Sequence, residues 1–291
     1  MTNDREKIDN MVKKKISFGT FFFLAILVLC SFCGCAKEEK RHLRLATTTS
    51  VENSGLLNVL LPEFEQKYGV KVQVVAVGTG RALELASAGD ADAVLVHAPG
   101  AEEEFVNSGL GINRRTICFN YFLILGPPTD PAGAEDAETA QQVFLRIAES
   151  KALFVSRGDN SGTHIKEKSI WHKAGLKPEG QWYLETGQGM GPSLLIADEK
   201  KAYILSDRGT YLSYKKKLEL VPLYSGPDET LYNPYSIIAT NPAKQASVNY
   251  EDALALINWL ASDEGQSLIG EYRLDNQVLF HPLGAPKEQG E

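Results

Sequence analysis

The sequence predicts an α/β protein in which parallel-rich β-sheets are flanked by helices. Strand-like and helix-like runs alternate along most of the chain, and several strand-like runs end in turns rich in Gly, Ser and Thr. Roughly 250 residues follow residue 35, which is enough for two lobes with separate cores. We assign residues 42–122 and 236–283 to lobe 1 and residues 126–233 to lobe 2, with a hinge between them. Residues 284–291 are predicted to be a disordered tail.

The N-terminal segment has the pattern of an export signal. Lys13, Lys14 and Lys15 precede an apolar run from Phe21 to Cys30, which is short for a bilayer span but suits a signal-peptide core. Residues 1–35 are therefore predicted to be a signal peptide or lipoprotein signal. Cys35, which follows Gly34, is the predicted lipidation site; Cys33 and simple secretion are the alternatives.

The charge balance limits how the protein can bind anions. The net charge is −7, and removing the five basic and three acidic residues of 1–35 leaves 25 Lys and Arg against 34 Asp and Glu, a net charge of −9. This balance argues against nucleic acid and against anion capture by overall charge. Cys118 is the one cysteine after Cys35, so no intramolecular disulfide is expected beyond that point.

The first strand-like run leads into a turn of hydroxyl residues. His42–Ala46 is followed by Thr47-Thr48-Thr49-Ser50 and then by a helix-like stretch with one apolar face. One hydroxyl can cap the helix, but four in a row exceed what a cap requires. Thr48, Thr49 and Ser50 are therefore predicted to donate hydrogen bonds to a ligand.

Two further strand-like runs end in polar residues. Val70–Val77 leads into Gly78-Thr79-Gly80-Arg81, where Thr79 is a predicted ligand donor and Arg81 is interpreted as a solvated helix residue. The run Ala93–Val96 ends at His97, which either donates to the ligand or caps the next turn.

The segment from Ser156 to His164 is the most informative part of the chain. It joins the strand-like Ala152–Val155 to the helix-like Ile165–Ala174, and a helix N-terminus offers unpaired N–H groups and a positive dipole end. The predicted ligand-binding residues here are Arg157, Ser161, Gly162 and Thr163. Because these groups all donate, a fully deprotonated oxyanion fits them, whereas phosphate carries a proton and benefits from a carboxylate acceptor. Asp159 and Asp92 are the nearby carboxylates, and we interpret both as structural.

The segment Asp207-Arg208-Gly209-Thr210 follows the strand-like Ala202–Leu205. It resembles a helix start and is predicted to shape the wall of lobe 2, with Arg208 as a further candidate for ligand contact.

An enzyme is the competing class of protein. Ser161 as nucleophile and His164 as base would suit a hydrolase, but the sequence lacks a Gly-x-Ser-x-Gly turn and an evident acidic third member. We therefore predict no catalytic residue, no cofactor and no resident metal.

The chain resembles the tungstate-binding proteins of bacterial ABC importers, within the wider family of type II periplasmic oxyanion receptors. The resemblance spans roughly residues 42–283 and rests on Thr47-Thr48-Thr49-Ser50, Ala91-Asp92-Ala93-Val94-Leu95-Val96-His97, Ser156 to His164, Gly187-Gln188-Gly189-Met190-Gly191 and Ala202 to Thr210. The Arg-x-x-x-Ser-Gly-Thr spacing from Arg157 to Thr163 is also similar to the anion loop of phosphate receptors.

This resemblance implies a receptor that captures tungstate outside the cytoplasm and delivers it to the permease and ATPase of an importer. It would be held at the cell membrane by a lipid or be free in the periplasm. A molybdate or phosphate receptor of the same fold is the alternative.

Overall fold

The computed structural model describes residues 41–225 and 228–283 of the 291-residue chain. The predicted signal peptide, the lipidation of Cys35 and the predicted tail at 284–291 lie outside these residues. Within them, no helix combines the length and apolarity needed to cross a membrane.

The elements alternate between strands and helices, as the sequence predicts. The first part of the chain contains β1 (Arg41–Thr48), α1 (Thr49–Asn53), α2 (Leu56–Tyr68), β2 (Val70–Val77), α3 (Thr79–Ala88), β3 (Ala93–Val96), α4 (Pro99–Asn107) and β4 (Gly111–Gly126). The middle contains α5 (Ala140–Ser150), β5 (Phe154–Ser156), α6 (Gly162–Lys173), β6 (Tyr183–Glu185), α7 (Met190–Lys200), β7 (Tyr203–Asp207), α8 (Arg208–Tyr214) and β8 (Val221–Tyr224). The last part contains β9 (Tyr232–Thr240), α9 (Tyr250–Leu260), α10 (Asp263–Glu271), β10 (Arg273–Leu274), β11 (Gln277–Val278) and β12 (His281–Pro282).

The main sheet has the strand order β2-β1-β3-β9-β4-β7-β5-β6, with β8 and β12 also paired to β4. The flanks are parallel: β1 pairs with β2 and β3, and β5 pairs with β6 and β7. The middle is antiparallel, because β9 pairs with β3 and β4, and β4 pairs with β7. The prediction of parallel-rich sheets flanked by helices is thus confirmed, and the antiparallel pairs among these strands lie in the middle of the sheet. The chain passes through the middle once in each direction, so β4 and β9 run oppositely.

Burial of apolar side chains stabilises helix α2 although it contains a proline. Five apolar side chains of α2 are buried: Leu56, Leu57, Leu60, Leu61 and Phe64. Proline usually kinks or ends a helix, yet α2 continues through Pro62 to Tyr68 and ends at Gly69, whose φ of 66° suits a left-handed cap. Packing of this apolar face offsets the hydrogen bond that Pro62 removes.

The register of the first flank brings three turns to one edge of the sheet. Thr48 pairs with Val77 and Thr47 with Leu95, so the carboxyl ends of β1, β2 and β3 lie side by side. The hydroxyl turn, Thr79 and His97 follow these ends directly. Ligands of parallel α/β sheets bind at this edge.

Candidate anion-binding site

The hydroxyl turn after β1 forms a buried hydrogen-bonded unit. Thr48 caps α1 by accepting from the backbone N–H of Val51 at 3.2 Å, and its Oγ1 lies 3.0 Å from Oγ of Ser50. Thr48 and Ser50 are each 4% exposed, whereas Thr49 is half-buried. The turn therefore both starts the helix and presents hydroxyl groups at the sheet edge.

His97 links this turn to the antiparallel middle of the sheet. Its Nε2 lies 3.0 Å from Oγ of Ser50, and its Nδ1 lies 2.9 Å from Oδ1 of Asn233 on β9. The ring stacks on Tyr235, with the centroids 4.8 Å apart. Burial lowers the pKa of His97, opposed by the nearby Asp207, so the ring is neutral near pH 7. Both ring nitrogens thus have protein partners.

The loop before α6 is arranged around Arg157 and Asp159. Nη2 of Arg157 donates to Oδ2 of Asp159 at 2.5 Å, and Oδ1 of Asp159 accepts from the backbone N–H of Ser161 at 3.1 Å. Ser161 caps α6 by accepting from the backbone N–H of His164 at 3.3 Å. The interpretation of Asp159 as a brace for Arg157 and the loop is confirmed.

The two loops meet at Gly162. A Cβ added to Gly162 would lie 3.2 Å from Cε1 and 3.4 Å from the carbonyl oxygen of His97. This close approach puts the first turn of α6 directly against the residue that follows β3. The structure therefore brings Ser50, His97 and Gly162 together, although they lie far apart in the sequence.

Five buried side-chain atoms on or next to these turns have no hydrogen-bond partner within the described ranges, namely Oγ of Ser156, Nε2 of His164 and three atoms of predicted ligand residues. Those three are Oγ1 of Thr79, Oγ1 of Thr163 and Nε of Arg157, on residues that are 1%, 1% and 5% exposed. Leaving a buried donor unpaired costs about 1–3 kcal/mol. Guanidinium N–H groups can only donate and hydroxyl groups can also donate, so a ligand rich in acceptors would satisfy this set. The donor set fits an oxyanion.

Oriented donors rather than excess charge would attract that anion. The positive charge of Arg157 is paired with Asp159, and the N-terminus of α6 adds unpaired N–H groups and a dipole. Lys166, further along α6, donates to the carbonyl of Tyr232 at 2.9 Å, and burial lowers its pKa to about 8. This local arrangement agrees with the expectation from the acidic composition.

Two other residues singled out by the sequence have structural partners, and a third lines a cavity to which none of these turns contributes. Arg208 is half-buried at the start of α8 and lines a separate cavity of about 240 Å³ with Tyr211 and Lys215. Arg81 is exposed and pairs with Glu84 at 3.0 Å, which confirms its interpretation as solvated. Asp92 accepts from Arg44 and from the backbone of Asn249, so its structural interpretation is confirmed.

His164, which the sequence suggested as the base of a hydrolase, is a neighbour of the site. Its Nδ1 accepts from the backbone N–H of Asn160 at 3.0 Å, so the neutral ring carries its proton on Nε2. That Nε2 is buried without a hydrogen-bond partner in the described part of the chain. Asn160 has a φ of 55°, and this bend, which no sequence pattern marked, aims its N–H at the ring.

The geometry of Ser161 and His164 does not assemble a hydrolytic pair. Oγ of Ser161 accepts from the backbone of His164, while the imidazole nitrogen that could take a proton already accepts from Asn160. A general base must reach the hydroxyl proton that it removes. These contacts favour a binding role for the loop.

The fold and this donor set together define an α/β protein with a candidate anion-binding site. A family model described as the PBP superfamily domain matches residues 36–264. The tungstate-binding protein TupA of Peptoclostridium acidaminophilum is 43% identical over 289 residues, covering 94% of this chain and 100% of that protein. The chain belongs to the PBP superfamily.

Solved structures show the same relationship. The tungstate ABC transporter structure from Geobacter sulfurreducens is 50% identical, covers 79% of this chain and 98% of that chain, and has a TM-score of 0.75. The tungstate-binding protein TupA from Desulfovibrio alaskensis G20 is 42% identical, covers 83% of this chain and 98% of that chain, and has a TM-score of 0.73.

Proposed function

We propose that this chain is a tungstate receptor of an ABC importer. The observation that carries the proposal is the buried set of unpartnered donors formed by Thr79, Arg157 and Thr163. The names of relatives that are 42–50% identical over most of the chain support tungstate as the ligand. Thr48, Thr49, Ser50, Ser161 and Gly162 complete the proposed ligand shell.

The carboxylates near the site favour tungstate or molybdate over phosphate. Tungstate and molybdate are fully deprotonated at neutral pH and only accept hydrogen bonds, whereas phosphate keeps a proton that needs an acceptor. Asp159 is occupied by Arg157 and the Ser161 amide, and Asp92 by Arg44 and the Asn249 amide. Four protein hydrogen bonds occupy Asp92, and each oxygen of Asp159 already accepts one, so the proton of phosphate would have to share Asp159 with Arg157 and the Ser161 amide.

The proposal includes a closing motion and a location. Residues 42–122 with 236–283 and residues 126–233 would form two lobes that close on the anion, because the contacts made by both walls exist only in the closed form. The antiparallel strands β4 and β9, which join the two parallel flanks, support a hinge there. Lipidation at Cys35 would hold the receptor at the membrane beside the permease and ATPase.

The same proposal assigns no enzymatic activity to the chain. Relatives are named as tungstate-binding proteins or as a tungstate ABC transporter, and the loop contacts of Ser161 and His164 suit anchoring rather than proton transfer. Purified residues 36–291 should leave chromogenic carboxylic and phosphate esters intact.

Calorimetric titration tests the ligand. We expect one tungstate per chain and far weaker binding of sulfate, which has the same charge but shorter bonds and would stretch several buried hydrogen bonds, each worth about 1 kcal/mol. Molybdate and phosphate serve as the competing ions. Equal affinity for tungstate and sulfate, or tighter binding of phosphate, would contradict the proposal.

A further inference from the structure

A continuous hydrogen-bonded chain leads from the proposed ligand hydroxyls into the middle of the sheet. It runs from Thr48 to Ser50, to His97 and to Asn233. Nδ2 of Asn233 then donates to Oδ1 of Asn120 at 2.8 Å and to the hydroxyl of Tyr235 at 2.9 Å. Every one of these side chains is buried.

The hydrogen bonds along this chain leave neither the Thr48 nor the Ser50 hydroxyl group free to donate to a ligand. Because Oδ1 of Asn233 only accepts, Nδ1 of His97 must donate to it. In the neutral ring Nε2 then accepts, so the hydroxyl group of Ser50 donates a hydrogen bond to His97. Ser50 in turn accepts from Thr48, whose oxygen already accepts from Val51. Both hydroxyl protons are used inside the protein.

A proton on Nε2 of His97 reverses this chain. Nε2–H would donate to Oγ of Ser50, and the hydroxyl protons of Ser50 and Thr48 would both be free to point at an anion. We propose that His97 is a positioning residue that takes up one proton when the oxyanion binds, turning the Thr48–Ser50 hydroxyls into donors. This inference rests on the proposed function, because it requires a ligand that only accepts.

The charges around His97 fit a ring that is neutral without the anion and protonated with it. Burial, Arg157 and Lys166 disfavour the imidazolium, while Asp207 and the bond to Asn233 favour it. A dianion at the first turn of α6 would add two negative charges close to the ring, because Gly162 lies directly against His97. Those negative charges would raise the pKa of His97 and favour the imidazolium.

The asparagine network holds the ring in the orientation that this mechanism needs. Turning the Asn233 amide over would present its Nδ2 to His97 and allow a neutral tautomer to donate to Ser50. The same turn would place Oδ1 of Asn233 against Oδ1 of Asn120, where Nδ2 now donates at 2.8 Å. Two facing acceptors oppose this alternative, and turning Asn120 as well would remove the bond that its Nδ2 donates to the Tyr235 hydroxyl at 3.3 Å.

Calorimetry of residues 36–291 with tungstate in PIPES, HEPES and Tris measures the proton uptake. These buffers differ in ionisation enthalpy, so the observed binding enthalpy should vary with the buffer by an amount that corresponds to about one proton taken from it. The association constant should fall by up to about tenfold per pH unit between about pH 7 and 8. Absence of proton uptake by a protein that binds tungstate would overturn the inference and leave the proposed function intact; absence of tungstate binding would end the proposed function itself.

Variants identify the group that takes the proton. His97→Gln keeps an N–H donor without a titration, so it should bind tungstate with no proton uptake. His172→Gln, at an exposed position on α6, is the matched control and should keep the uptake. Glu167, His164 and the partly buried Lys166 are the other groups on α6 whose pKa burial shifts, and loss of uptake in Glu167→Gln, His164→Gln or Lys166→Gln would assign the proton elsewhere and overturn the inference.

A measurement on the wild-type protein is independent of how the variants fold. The imidazole nitrogen NMR shifts of His97 distinguish the neutral ring from the imidazolium. We expect the neutral pattern without tungstate and the charged pattern with it; a neutral ring in both states would contradict the proton uptake.

Discussion

The buried hydroxyl of Thr163 shows how a binding residue can work against stability. Its Oγ1 is buried without a hydrogen-bond partner among the residues that the structure describes, while its side chain stands in the first turn of α6. An unpaired buried donor destabilises the folded protein unless a ligand accepts from it. Stability and affinity should therefore respond to this residue in opposite directions.

Thr163→Val tests that opposition. Replacing the hydroxyl with a methyl group should raise the free energy of unfolding without ligand by about 1 kcal/mol, and should weaken tungstate binding by about fivefold. Thr240→Val is the control, because Oγ1 of Thr240 donates to the carbonyl of Ala91 at 2.7 Å. This control should lower stability and keep the affinity. Denaturant titration and calorimetry measure both quantities, and a Thr163→Val protein that binds as well as wild type would remove Thr163 from the site.

Arg157 should be the most costly single loss in the site. It brings a charged donor to the anion at about 1.5–3 kcal/mol per bond, so Arg157→Ala should weaken tungstate binding by about tenfold to a hundredfold or more. The loss is aggravated because Asp159 is left without its partner beside a dianion. Arg157→Lys should recover part of the affinity, and Ser50→Ala should cost about 1 kcal/mol.

Calorimetry of proteins whose folding is checked by circular dichroism compares these variants. Arg81→Ala, at the exposed arginine that pairs with Glu84, is the matched control and should bind like wild type. A folded Arg157→Ala protein with unchanged affinity would show that the loop before α6 is not the anion site.

Sequence patterns could predict the local parts of this site but not its long-range partners. The turns with Thr48, Ser50 and Gly162 each follow a strand and start a helix, so a short window contains their signal. Asn233 bonds to His97 across 136 positions in the sequence, and only the pairing of β9 with β3 brings them together. An isolated asparagine in a strand carries no pattern that marks such a partner.

At the scale of elements, helix α6 carries both residues of the proposed site and a buried carboxyl group. Glu167 lies one turn after Thr163, where Nε1 of Trp171 donates to it at 3.2 Å and the hydroxyl of Tyr183 at 2.8 Å. Burial raises the pKa of Glu167 from 4.5 to about 7, which the hydrogen bonds only partly oppose. The helix therefore holds a group that ionises near neutral pH.

Glu167→Gln should stabilise the protein at neutral and higher pH. The folded-state pKa lies above the unfolded value, so the folded protein binds more protons between about pH 4.5 and 7, and wild-type stability falls as pH rises through that window. Glutamine removes the ionisation, so its advantage should grow from near zero to at most about 3 kcal/mol above pH 7.

Urea titrations at several pH values measure this difference. Glu185→Gln is the control, because the Glu185 side chain is 58% exposed and should show no comparable trend. A constant difference between Glu167→Gln and wild type at all pH values would contradict a raised pKa.

The direction of the central strands β4 and β9 could not be predicted from the sequence. Strand and helix types follow from local periodicity, but the direction of β4 and β9 depends on the chain crossing the sheet and returning. The local sequence pattern of β4 and β9 does not distinguish them from the parallel strands. Their antiparallel pairing is a property of the connection and not of their residues.

At the scale of the whole molecule, Cys118 reports on opening of the sheet. It lies on β4, is 0% exposed, and burial raises the pKa of its thiol. β4 pairs with β9 and β12 at this position, so the thiol becomes reactive only when these strands separate. In residues 36–291 it is the sole cysteine.

Labelling of Cys118 by a thiol reagent should therefore be slow, and tungstate should slow it further. If opening and closing are fast, a ligand at 100 times its dissociation constant should slow labelling about 100-fold. Cys118→Ala gives the background rate. Equal labelling rates with and without saturating tungstate would show that the anion does not stabilise the strands around β4.

The pairing of β3 with β9 also governs when the chain can fold during synthesis. Ala93 pairs with Ala239, so the inner edge of β3 lacks its neighbour until about 240 residues have been made. All four residues of β3 are buried in the finished sheet, and an uncovered apolar edge is prone to aggregate. Nascent chains should therefore depend on chaperones until late in translation. If the chain is exported, as its N-terminal segment predicts, this late pairing would leave β3 without its neighbour while most of the chain is made.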